Sequence, residues 1–234
     1  MNGALAAPFA FRGSAIVLVV RSVVVGPFQE NSYLVACDRT GEAVLVDPGD
    51  EAPRILALRE PGGLKVTRVF ATHGHIDHVT AAEAVRAATG APFSIHPEDE
   101  PWLAALPGQA EMFGFPKATP PTVDLRHGEG DEVRVGEHVG KVLHTPGHTR
   151  GGTCLWFPDA KVLFTGDTLF SGSVGRTDLP GGDFDALRAS IVERLFSLGD
   201  DVTFHPGHGP AGKLGDERRT NPFVGEKKPR GRFV

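Results

Sequence analysis

Apolar and polar positions along this chain follow two rhythms. Short apolar runs rich in β-branched residues fall at 15–25, 32–36, 43–46, 66–71, 133–135, 139–143, 153–157 and 162–164, and these predict strands. Helical stretches fall between and after them, at 51–59, at 79–89 ending on Gly90, at 97–106 and at 183–196. The last has the clearest apolar face, with Phe184, Leu187, Ile191 and Leu195 at spacings of three and four. The mixture implies an α/β protein. Residues 15–25 read as a buried strand and 1–14 as a loose N-terminal extension. Pro107, Gly108, Gly114, Pro116, Pro120 and Pro121 make 107–122 a long connection of the kind that is often functional or mobile. From Asp216 the chain carries six Lys or Arg against three Asp or Glu, which predicts a tail over 216–234 that wraps the surface. The folded domain is therefore expected at 15–215, without internal repeats.

Composition narrows the function. With 234 residues, 40% hydrophobic and 23% charged, the chain has the makeup of a globular domain with a substantial core, and 30 Gly and 19 Pro imply many turns. A formal charge of −5 lacks the basic field of nucleic-acid binders, so no nucleic-acid partner is expected. Cys37 and Cys154, the 2 cysteines, form neither a disulfide framework nor a Cys-x-x-Cys pair. Met1 to Leu5 has no basic residue, Arg12 and Arg21 interrupt the apolar stretches, and no run approaches the roughly 20 residues that span a bilayer. A cytoplasmic protein without a membrane partner is the expectation. The unusual count is 10 His against 1 Tyr and 2 Trp, because histidine is both a metal ligand and a general base.

The histidines are not scattered. Thr72-His73-Gly74-His75-Ile76-Asp77-His78 follows the apolar run Val69-Phe70-Ala71 directly. Side chains two apart in an extended segment point the same way, so His73 and His75 can grip one ion. Asp77 and His78 come at the expected start of a helix and can face a second. A random chain of this composition shows His-x-His-x-Asp-His with a probability on the order of one in a thousand, so a chance surface cluster does not explain it. Three further donors sit at strand ends: His148 in Thr145-Pro146-Gly147-His148, Asp167 after Val162-Leu163-Phe164-Thr165-Gly166, and His208 in Pro206-Gly207-His208-Gly209. His73, His75, Asp77, His78, His148, Asp167 and His208 together suit two ions sharing a bridging carboxylate.

This pattern resembles the metallo-β-lactamase superfamily, whose metal motifs are His-x-His-x-Asp-His followed by a separate His, Asp and His in this order. The resemblance spans about residues 29–210. His144-Thr145-Pro146-Gly147-His148-Thr149, Gly166-Asp167-Thr168-Leu169-Phe170, the stretch from Ser173 through Gly175-Arg176-Thr177-Asp178 to Gly182, and Asn221-Pro222-Phe223 look like the small glyoxalase-II-like hydrolases. The resemblance implies a four-layer αββα sandwich with the site at one edge of the two sheets. It places one ion on His73, His75 and His148 and the other on Asp77, His78 and His208, with Asp167 bridging. Asp47, in Val46-Asp47-Pro48-Gly49, matches the first motif of the superfamily and is expected to orient a ligand histidine through a hydrogen bond.

The implied activity is hydrolysis of a small-molecule thioester, with glutathione-derived S-lactoylglutathione as the leading candidate, by attack of a hydroxide held by two divalent metal ions. Asp77 is the residue expected to orient that hydroxide or accept its proton. Imidazole and carboxylate donors without thiolate fit zinc first, with iron or manganese as alternatives. Full-length glyoxalase II enzymes carry a C-terminal helical domain with glutathione contacts, and 24 residues follow Pro210 here, so those contacts are not carried over. Lys213, Arg218 and Arg219 are candidates for meeting thiol-carrier carboxylates, against a solvated basic tail. Arg176 is expected to anchor its loop to Asp178. The main alternative is a persulfide dioxygenase, which shares the His-x-His-x-Asp-His segment and the Gly-Arg-Thr-Asp loop yet uses one iron. Those enzymes resemble Pro-Ala-His-Asp-Tyr where this chain has Pro206-Gly207-His208-Gly209-Pro210, which favours the hydrolase. A β-lactamase, a nuclease and a non-catalytic metal binder rank below it. His96, His127 and His138 are expected to be ordinary, as are His144 and His205. Tyr33, Cys37, Cys154 and Trp156 read as core, and Trp102 as packing its helix onto the long connection. The oligomeric state stays open.

Overall fold

The computed structural model describes residues 15–115 and 118–226. The extension expected at 1–14 and the tail from 227 onward lie outside the described residues. The first sheet runs in chain order through β1 (Leu18–Val25), β2 (Glu30–Cys37), β3 (Glu42–Val46), β4 (Lys65–Phe70), β5 (Phe93–Ile95) and β6 (Leu125–Arg126), antiparallel to β3 and parallel beyond it. The second takes β7 (Glu132–Val135), β8 (His138–His144), β9 (Thr153–Phe157) and β10 (Val162–Gly166). After the small hairpin of β11 (Leu169–Phe170) and β12 (Ser173–Val174), the chain adds β13 (Thr203–Pro206) parallel to β10 and β14 (Gly212–Lys213) at the edge.

The alternation of side chains along a strand explains the layering. In β2, Leu34 and Ala36 enter one core, while Tyr33, Val35 and Cys37 enter another. In β3, Ala43 and Leu45 divide from Val44 and Val46 in the same way. Strands apolar on both faces must be covered on both sides. The outer face of the first sheet takes α1 (Ala52–Ala57), α3 (Ala82–Thr89) and α4 (Glu100–Phe113) through Ile55, Val85, Leu103 and Leu106, with the short α2 (Ile76–Val79) between α1 and α3 in the chain. The inner face meets Val135, Val142, Leu155, Phe157 and Phe164 of the second sheet. Cys154, Trp156, Leu163 and Phe204 point outward from that sheet against Leu187, Ile191, Leu195 and Leu214 of the segment around α5 (Phe184–Ala189) and of α6 (Leu214–Thr220). The result is the expected αββα sandwich.

Several elements depart from the sequence reading. The run at 15–25 forms an edge strand, with Val17 and Val24 half exposed, because β2 is its sole neighbour in the sheet. The helix expected at 97–106 continues through Pro107 to Phe113 and stops at Gly114, φ 70°. Burial of Leu103, Leu106 and Ala110 on one face extends it past the proline and shortens the expected 107–122 connection. Phe184 is exposed, and the apolar face of its helix consists of Leu187, Ile191 and Leu195. Residues Ser190–Leu195 widen into a π-helix, which offsets the drift of a strict four-residue repeat on 3.6-residue turns. Of the surface tail expected at 216–234, the described part includes most of α6, and Val224 joins Leu214 in the outer core. Asn221 is buried and bonds the Ser173 carbonyl and Glu217. Among the described residues, no helix is long and apolar enough to cross a membrane.

Candidate metal centre

Strand ends, the turn after β8 and the short α2 deliver the seven predicted donors. The chain leaves β4 into His73 and His75, β10 into Asp167 and β13 into His208, while His148 sits in the turn that links β8 to β9. The structure brings all seven together. His73, His75 and His148 offer donor atoms within 4.8 Å of one another, and so do Asp77, His78 and His208. Asp167 lies between the two triads: its Oδ1 is 3.3 Å from His78 Nε2, and its Oδ2 is 3.6 Å from both His148 Nε2 and His208 Nε2.

The groups behind the imidazoles fix which nitrogen faces inward. The Arg176 carbonyl, 2.7 Å from His148 Nδ1, accepts its proton, which leaves Nε2 with a lone pair. Asp47 Oδ2 lies 3.1 Å from His78 Nδ1 and holds a proton there. The Thr72 hydroxyl donates to Asp47 Oδ2 at 2.7 Å and sits 3.1 Å from His73 Nδ1 as its acceptor. Asp47 thus stands behind both triads, as the sequence predicted for one histidine, and the Thr72 amide locks it at 2.6 Å. His75 Nδ1 faces His148 Nε2 at 2.9 Å.

Buried polar atoms without partners test whether a cation fits. His73 Nε2, His78 Nε2 and Asp167 Oδ1 are buried without a hydrogen-bond partner. Each such atom costs about 1–3 kcal/mol. A cation among them would satisfy the set, and donors of imidazole and carboxylate suit a divalent transition metal. The charge pattern agrees. Burial drives the His73 imidazole well below its ordinary pKa and the His75 imidazole down to about 3, with neighbouring histidines adding to the shift, so both are neutral and ready to ligate at pH 7. Burial works against the imidazolium of His78 too, but Asp167 and Asp77 outweigh it and raise that pKa well above the usual value. Burial also opposes the Asp167 carboxylate, yet His78 and then His148 and His208 hold it ionised far below the ordinary range.

Residues of ordinary appearance complete the site. Glu30 is buried beside His78 and accepts from Ser32 Oγ at 2.9 Å, and burial raises its pKa well above the usual carboxylate value. Trp102 meets His75 nearly at right angles, 4.6 Å between ring centroids. Arg176 pairs with Asp178 at 2.7 Å as expected, and its backbone carbonyl reaches His148. Lys213 bonds the Asp201 carbonyl and the Thr203 hydroxyl, Arg218 pairs with Asp200, and Arg219 pairs with Asp216. His144 and His96 stack on each other. His205 packs against Tyr33 and Phe164, and His127 stacks on Phe70.

With this geometry in hand, comparison with known proteins identifies the family. The sequence profile described as the Metallo-beta-lactamase superfamily matches residues 25–208. The chain belongs to the metallo-beta-lactamase superfamily. Members of this superfamily bind divalent metals. The chain is 36% identical over 210 residues to the hydroxyacylglutathione hydrolase GloC of Haemophilus influenzae, covering 89% of this chain and 99% of that protein. Its fold is similar to that of the BLEG-1 B3 metallo-beta-lactamase, with a TM-score of 0.81 and 35% identity over 88% of this chain and 99% of that one. It is also similar to TTHA1623 in a di-iron-bound form, with a TM-score of 0.79 and 42% identity over 87% of this chain and 100% of that one.

Proposed function

We propose that this chain is a thioester hydrolase that works with two divalent cations, one held by His73, His75 and His148 and the other by Asp77, His78 and His208. Asp167 is shared between them. The position of Asp167 carries the reading, since its two oxygens approach imidazole nitrogens of both triads at 3.3 to 3.6 Å. When bound, a metal pair of this kind supplies Lewis acidity and brings the pKa of water to about 7, which makes hydroxide available at neutral pH.

The residues around that pair have separate tasks. Asp47 and Thr72 fix His73 and His78, and the Arg176 carbonyl fixes His148, so the donor atoms are set before substrate arrives. Asp77 lies 3.2 Å from His208 Nε2, and its carboxyl is held below the ordinary range because His78 and His208 outweigh its burial. As a carboxylate at neutral pH it orients the attacking water and takes its proton. The acyl carbon gains the hydroxyl, the carbon–sulfur bond breaks, and the proton leaves with the thiol.

Zinc is the ion we assign. The di-iron form of TTHA1623 supports iron as the competing occupant. The similarity to GloC supports a glutathione thioester, with S-lactoylglutathione as the substrate to try first. Metal-loaded protein is assayed in parallel for thiol release from S-lactoylglutathione, oxygen uptake with glutathione persulfide, and turnover of a β-lactam. Thiol release without oxygen uptake is expected. Oxygen uptake or lactam turnover as the dominant activity overturns the reading.

A further inference from the structure

We propose that Asp99 is the positioning residue of the first triad, holding the segment of His73 and His75 and the loop of His148 at the separation one cation requires. This rests on the two-ion reading above. Asp99 ends a 3-10 turn at Pro97–Asp99, leads into α4, and is fully buried. Its Oδ2 accepts from the Gly74 amide at 2.9 Å and the Thr149 hydroxyl at 2.8 Å, and its Oδ1 accepts from the Gly151 amide at 2.7 Å. These donors lie 25, 50 and 52 residues away in the chain. One carboxylate therefore clamps segments from both halves of the sandwich with charge-assisted bonds.

Each donor adjoins the first triad. Gly74 separates His73 from His75, and Thr149 follows His148. The clamp is where these two segments meet, and across it His75 Nδ1 and His148 Nε2 come to 2.9 Å. His75 is the imidazole most in need of outside support: His73, His78 and His148 each have a polar partner behind the ring, whereas His75 Nε2 is buried without one. What His75 has is Trp102, three residues beyond Asp99 in the first turn of α4. The beginning of α4 thus supplies both the carboxylate under the loop and the indole beside the ring. The fit is close: a Cβ on Gly151 would come within 2.7 Å of Asp99 Oδ1. The second triad is held by other groups: Asp47 backs His78, and Asn31 Nδ2 donates to the Pro206 and Gly209 carbonyls on either side of His208.

A residue that only stabilised the fold would make many of the same bonds, so the test separates the two roles. Zinc binding is followed by competition with a chromogenic chelator for wild type, Asp99→Asn, His148→Ala and the double variant, with circular dichroism and thermal melts alongside. Asp99→Asn is expected to loosen one binding step about 10–100-fold and leave the other unchanged. In the His148→Ala background it is expected to add no further loosening, because both changes act on the same triad. Equal loosening of both steps, the same loosening in both backgrounds, or unchanged zinc binding in a folded Asp99→Asn protein overturns the proposal. If Asp99→Asn fails to fold, Thr149→Val removes one donor. A smaller loosening of the same step is then expected, and no change overturns the inference. A wild type that binds one zinc contradicts the two-ion reading, and the effect of Asp99→Asn on that single step still decides the role of Asp99.

Discussion

Asp47 shows how much of the centre depends on a residue that touches no substrate. It adopts φ 51°, a left-handed conformation that Asp tolerates better than most residues, and this aims its carboxylate at Thr72 and His78. Asp47→Asn keeps the shape and loses the charge that fixes both protons. Metal affinity, measured by chelator competition, is expected to fall about 10–100-fold, and an unchanged affinity refutes this role. Asp47 was legible in Val46-Asp47-Pro48-Gly49, as were all seven donors, because coordination demands particular residue types at particular points of the chain. Asp99, Glu30 and the Arg176 carbonyl were not. A buried acid inside His96-Pro97-Glu98-Asp99 carries no sequence signal, and a carbonyl is common to every residue. Their roles arise from contacts between segments distant in sequence.

At the scale of elements, the turn that carries His148 rests directly on α5. Gly147 has φ 134°, and a Cβ there would lie 2.2 Å from the Leu187 backbone nitrogen and 2.4 Å from its Cα. The Gly147 carbonyl accepts from the Asp183 amide, and the Pro146 carbonyl from Ser190 Oγ, both at 2.8 Å. Gly147→Ala therefore pushes the turn off the helix. It is expected to destabilise the protein by about 2–4 kcal/mol, read from the urea midpoint, and to reduce the metal retained. A variant with wild-type midpoint and metal content contradicts this account of the turn. The apolar runs disclosed the long central strands, whose two-sided burial needs continuous hydrophobicity. They did not disclose β5 or β6, at three and two residues, which are too short to establish a period. The extension of α4 past Pro107 was hidden for a different reason: its tertiary burial outweighs the cost of the proline.

Across the whole molecule, buried neutral histidines set the response to acid. Burial lowers His127 to a pKa of about 3 and His205 to about 4, against about 6.5 for an unfolded histidine. Folded values below the unfolded one mean that this stability is complete above pH 6.5 and is lost as the pH falls toward 3. His78, with a raised value, contributes in the opposite sense, losing its share as the pH rises above 6.5. The metal-free protein is therefore expected to lose stability on acidification, with His127 alone accounting for on the order of 2 kcal/mol between pH 7 and pH 5. His127→Gln should flatten the urea midpoint over that interval, and an unchanged slope refutes the assignment. Protons also compete with metal for His73 and His75, so metal loss is expected to accompany acidification of the loaded protein. The formal charge of −5 is a property of the bare chain, and two bound divalent cations would offset most of it. Two such ions would be held by His73, His75, Asp77, His78, His148, Asp167 and His208. Elemental analysis of metal per chain, on purified wild type and His75→Ala, tests this most directly. Two ions in wild type and fewer in the variant are expected, and a variant that holds as much metal as wild type contradicts the account.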